Sequence, residues 1–155
     1  MKRNKFLAAL IPVALLILFA CSGGGSKYTF SDDAVSGKAG GTDVVFKYGR
    51  AIYSELFGNP VIKYNLYTDD VDVCKSFPGS EYQVMLNLPQ DTGLFELSMK
   101  KSVTINWGSN NIICFDGAIH IVDINLSDST ITGKIDAKSG DENYINGTFT
   151  VPVCK

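Results

Sequence analysis

Histidine is almost missing from this chain: His120 is the only one in 155 residues, and the four cysteines, Cys21, Cys74, Cys114 and Cys154, lie far apart. A Cys/His zinc site draws its ligands from closely spaced pairs, and no such spacing exists here. His120 also lacks company for nucleophilic catalysis, since neither a Gly-x-Ser-x-Gly elbow nor a cysteine-based signature accompanies it. It falls between Ile119 and Ile121 in a run that reads as a strand, where a structural or surface role is the expectation. Apolar residues at sustained helical spacing are missing beyond residue 20, which argues against a helical fold for the rest of the chain.

Positive charge is also scarce where it would matter. Of the 14 basic residues, Lys2, Arg3 and Lys5 precede an apolar run, so the chain after residue 20 carries 11 basic against 16 acidic side chains, a net of −5. Phosphate binding needs concentrated Lys and Arg, so a nucleic-acid partner is not expected. The acids of Thr68-Asp69-Asp70-Val71-Asp72-Val73-Cys74 are of the type that bind calcium, but no Gly or distal Glu falls in EF-hand register. They read as solvated loop acids, and neither a metal nor a cofactor is expected.

What is present begins at the amino terminus. Lys2, Arg3 and Lys5 are basic, residues 6 to 20 are uncharged, and small Ala20 precedes Cys21, the layout of an export signal. The apolar run is shorter than the roughly 20 residues of a spanning helix, and Pro12 lies inside it. Leu18-Phe19-Ala20-Cys21 resembles the lipobox of bacterial lipoproteins, with Phe19 bulkier than the usual Ala or Ser. The resemblance implies cleavage before Cys21, diacylglycerol on its sulfur and acylation of the new amino group. Several acyl chains would hold the protein stably in a membrane. Ser22, where that family's inner-membrane members carry Asp, resembles an outer-membrane address. The following Ser22-Gly23-Gly24-Gly25-Ser26 reads as a tether, and Ser31 to Thr42 continues in similar polar, Gly-containing composition. The expected organisation is therefore a signal peptide over residues 1–20, a lipidated cysteine and tether over 21–42, and a folded domain over 43–155.

From residue 43 the apolar residues alternate with period two, the mark of half-buried strands. Val44, Phe46 and Tyr48 form one such set, followed by Ile62, Tyr64 and Leu66, by Tyr82, Val84, Leu86 and Leu88, by Phe95, Leu97 and Met99, and by Val103, Ile105 and Trp107. In residues 112–126 the alternation shifts phase near Ile121 and Val122, which predicts a β-bulge. Turn signals at Gly58-Asn59-Pro60, Pro78-Gly79, Asp91-Thr92-Gly93 and Ser139-Gly140-Asp141 separate the runs. Near the end, residues 131–137 and 145–151 share an Ile-x-Gly pattern across a hairpin connection, placing Gly133 and Gly147 on the inward face. Pro152 cannot donate to a ladder and marks an edge or bulge. These features predict an all-β fold, a single antiparallel β-sandwich, with a β-barrel as the alternative.

The segment 117–154, closing in Gly147-Thr148-Phe149-Thr150-Val151-Pro152-Val153-Cys154, together with residues 61–74, resembles a group of small secreted or lipid-anchored β-rich bacterial proteins. That resemblance implies no activity.

With Cys21 assigned to lipid, three thiols remain in an oxidising compartment. Cys74 and Cys154 each follow a strand among polar or turn residues and form the favoured disulfide. Cys114, between Ile113 and Phe115, reads as a small core residue; bridges to Cys114, or free thiols, are the alternatives. The function expected is a non-catalytic binding or structural module of the cell envelope, with an envelope protein or glycan as partner and the membrane reached through Cys21. A lipocalin-like barrel carrying a small apolar ligand is the alternative, and an envelope hydrolase using His120 or the acidic loop comes third.

Overall fold

A computed structural model describes residues 27–74 and 79–155. The expected signal peptide, the expected lipidation site Cys21 and the expected Gly/Ser tether lie outside the described residues. Among those described are eleven strands: β1 Ser36–Ala39, β2 Thr42–Val45, β3 Tyr48–Leu56, β4 Asn59–Tyr67, β5 Tyr82–Pro89, β6 Gly93–Glu96, β7 Val103–Trp107, β8 Asn110–Cys114, β9 Asp116–Asn125, β10 Thr130–Lys138 and β11 Tyr144–Cys154. They form one open sheet in the order β6-β9-β10-β11-β3-β4-β5-β7-β8, with β1 pairing β11 and β2 extending beyond β1. The end strands β6 and β8 do not pair with one another, so the sheet does not close. The fold is the all-β sandwich expected from the alternation, and the barrel alternative does not describe it.

The sheet turns over on itself at β11. Up to Pro152 this strand pairs antiparallel with β10, whereas Val153 and Cys154 pair parallel with Ala51 and Ile52 of β3. Pro152 therefore occupies the point where β11 changes partner, the one place where a missing N–H interrupts neither ladder's interior. The inner faces of the two layers meet in one apolar core containing Ile62, Leu86 and Ile105 from one layer and Ile119, Ile135 and Ile145 from the other. Burying each such side chain contributes about 1.5–3 kcal/mol. Phe149 ties the layers together: its ring meets Tyr64 edge-on at 5.9 Å, and it covers Gly133, where an added Cβ would come within 2.5 Å of the ring. Gly133 is thus inward-facing and capped by a side chain, as its pattern predicts. Gly147 is inward too, but what covers it is the backbone of Val35.

The predicted bulge is found where the phase shift placed it. The pairing of β10 with β9 jumps from Thr132↔Asp123 to Gly133↔Ile121, leaving Val122 unpaired and half exposed.

Two expectations need correction. The folded part does not begin near Asp43, because Val35 and Ala39 are fully buried and β1 pairs with both β11 and β2. The glycines of this stretch serve contact rather than looseness: a Cβ on Gly37 would collide with the carbonyl oxygen of Tyr144. Residues 29–34 are also bound down. Asn146 donates from Nδ2 to the Thr29 carbonyl at 2.7 Å and accepts from the Ser31 N–H at 2.7 Å, and Lys134 pairs with Asp32. Met99 is the second correction, since it is 89% exposed instead of continuing a buried face. The alternation ends at Leu97 because Ser98 and Lys101 exchange backbone hydrogen bonds in a tight turn.

A Gly147→Ala variant is expected to lose at least about 2 kcal/mol of unfolding free energy in denaturant titration, because the new Cβ would sit 2.6 Å from Val35 Cα at a backbone φ of +145°.

Candidate functional site

Each chemically capable residue singled out from the sequence is placed by the fold. His120 points outward from β9, opposite Leu94 on β6 and Lys134 on β10, with the Phe30 ring 6.3 Å from its own. The acidic loop follows β4 in the other layer, so the fold does not gather His120 and these acids into one site. Asp69 caps its own loop, accepting from Ser80 Oγ at 2.8 Å and the Glu81 N–H at 3.0 Å. These hydrogen bonds hold its carboxyl below the usual carboxylate range. Among the described residues no three His, Cys, Asp or Glu side chains are arranged to hold a metal ion.

Cys74 and Cys154 are joined, with 5.3 Å between their Cα atoms. The bridge fastens the acidic loop to the end of β11, and Arg50 adds a hydrogen bond from Nη1 to the Val73 carbonyl at 2.9 Å. Closing an 80-residue loop contributes about 4.5 kcal/mol in the chain-entropy account. Cys114 is free and fully buried at the end of β8, and burial pushes its thiol up to about 11. It is a core residue, without the electropositive, accessible setting of a reactive cysteine.

The feature that composition did not disclose lies at the β3–β4 hairpin. Phe57 is 95% exposed at φ +51°, followed by Gly58 at φ +78°. Two successive residues with positive φ are the backbone of a type I′ hairpin turn, whose first position favours Asn or Asp and disfavours a bulky aromatic. Phe57 therefore costs the fold backbone strain and returns no buried contact. Such a conflict between local preference and native structure is found most often at functional positions.

Phe57 borders a groove of about 840 Å³ whose opposite rim is the turn carrying Met99, Lys100 and Lys101. Val61 and Leu88 form part of its wall, and no carboxylate is among its lining residues. Lys101 is steadied by the Phe95 ring, 5.6 Å from its Nζ. The groove thus offers two mobile-length apolar side chains, an apolar wall and two ammonium groups, which suits binding to an amphipathic, negatively charged surface better than bond-making chemistry. A sequence signal for it existed in Leu56-Phe57-Gly58-Asn59-Pro60, where a large aromatic stands inside turn chemistry. The seven tyrosines point elsewhere: Tyr64 and Tyr67 are fully buried, and only Tyr53 and Tyr144 are more than a third exposed.

No family model, no curated protein and no solved structure matches the chain.

Two measurements follow from these placements. Alkylation followed by peptide mapping should label Cys114 only after denaturation; labelling in the native protein would contradict its burial. Phe57→Asn should raise the unfolding free energy by about 0.5–1 kcal/mol, because Asn accepts the left-handed backbone; a loss of stability would mean that the Phe57 ring supports the fold.

Proposed function

We propose that this chain is a lipid-anchored protein of the bacterial cell envelope, attached through Cys21, whose β-sandwich acts as a non-catalytic binding module. Attachment is supported by the basic, apolar and small-residue succession that ends at Leu18-Phe19-Ala20-Cys21. The outer membrane is the proposed location, from Ser22 in the position after the lipidated cysteine. The binding role is carried by one observation, the groove between Phe57 and Met99, both almost fully exposed and neither required by the fold. Large apolar side chains held in water at a strained turn are a recognised mark of an interaction surface. The partner would be a component of the envelope.

Mass spectrometry of the amino-terminal peptide tests the attachment. The mature chain is expected to begin at Cys21 with a thioether-linked diacylglycerol and an acylated amino group, and Cys21→Ala should abolish both. Recovery of an unmodified Cys21, or of a chain retaining residues 1–20 in the native membrane, would defeat it.

A further inference from the structure

We propose that the open rim of the Phe57–Met99 groove rests on the anionic headgroup surface of the bilayer itself, with both side chains entering the headgroup layer and Lys100 and Lys101 meeting lipid phosphates. The inference rests on the Cys21 anchor proposed above and names the partner of the same groove.

Chain length supplies the first reason. Five residues lie between Cys21 and Lys27, so six residue-to-residue steps join them, and a fully extended chain spans at most about 3.6 Å per step. With Cys21 at the lipid surface, Lys27 must therefore lie within roughly 22 Å of it. Lys27 is held on the β6 side of the sandwich, its Nζ 3.8 Å from Glu96 Oε1. Glu96 ends β6, and the Ser98–Lys101 turn that forms one rim of the groove follows directly. Lys27, where the tether joins the sandwich, and the groove rim consequently belong to one region of the molecule. The turn between β9 and β10, with exposed Leu126, lies at the far end of β9 from Ala118, the partner of Glu96, and borders Ile52 and Tyr53 of β3 instead of the Ser98–Lys101 turn.

Charge complementarity is the second reason. The chain beyond residue 20 has a net charge of −5, so its overall electrostatic interaction with an anionic membrane is repulsive. The groove rim departs from this balance, with adjacent Lys100 and Lys101 and no carboxylate in its lining. Aromatic and basic side chains together form the usual interfacial anchor, the apolar part shallowly buried and the ammonium groups at phosphate level. A weak contact is sufficient, because attachment at Cys21 makes docking an intramolecular event at high effective concentration.

The test uses the full lipidated protein, purified from membranes and reconstituted into vesicles of phosphatidylethanolamine and phosphatidylglycerol. Phe57→Cys, Met99→Cys and Leu126→Cys variants carry an environment-sensitive fluorophore, native Cys114 being buried. The expected result is a blue shift and quenching by headgroup-proximal spin-labelled lipid at positions 57 and 99, and neither at 126. Exchanging Lys100 and Lys101 together for Glu should lower the docked-to-undocked ratio by at least about 30-fold, at the usual strength of a lysine beside an anionic surface. Vesicle-bound protein with equal, water-like emission at all three positions would overturn the inference and leave the anchor standing. Protein that fails to stay with the vesicles would defeat the anchor and the docking together. A shift at 57 and 99 that appears only on adding envelope protein would assign the groove to a protein partner and overturn the lipid contact.

Discussion

At Pro152 the closing strand exchanges one neighbour for another, and the sandwich depends on that exchange. Before it, β11 completes an antiparallel ladder with β10; after it, Val153 and Cys154 run parallel to β3 and draw the second layer against the first. Parallel pairing of adjacent strands requires a long connection, and here most of the chain forms that connection. Two features secure the switch. The bridge from Cys74 to Cys154 fastens its far side, and the Phe149 ring on Gly133 and Tyr64 fills the space where the layers meet. Close approach of the Phe149 ring is allowed because Gly133 carries no side chain.

The same strand explains why residues 29–39 belong to the domain. β11 has an unused edge beside its first half once β10 has taken the other, and an unpaired edge of backbone donors and acceptors must be covered or left as a hazard. β1 covers it, and Asn146 and Thr148 bind the residues leading into β1 through side-chain and backbone hydrogen bonds. This arrangement also fixes where the amino-terminal segment leaves the sandwich, beside β6 and the turn that carries Met99. The candidate site is therefore a product of the fold twice over: the hairpin holds Phe57 in a strained backbone, and the strap of residues 29–34 brings Lys27 to Glu96, just ahead of the turn that carries Met99.

Alternation in β4, β5 and β7 was legible because these strands have one face in the core and one in solvent, so period two is written directly in Ile62-Tyr64-Leu66 and Val84-Leu86-Leu88. The bulge at Val122 was legible for the same reason, since an inserted residue inverts the phase. β1 was not, because a four-residue strand with one buried side chain, Ala39, and a glycine carries no periodic signal above its polar surroundings. Met99 was misplaced because a turn formed by backbone hydrogen bonds can end an alternation that the side chains alone would continue.

What the sequence determined by itself was the fold class, the inward positions of Gly133 and Gly147 and the core character of Cys114, all of which follow from local pattern and residue chemistry. Only tertiary structure decided that the sheet stays open, that Val35 and Ala39 join the core, and that Phe57 faces Met99 across a groove. Each of these depends on contacts between residues distant in the chain, where backbone pairing and the shape of the neighbouring surface, more than the residue's own preference, set its environment.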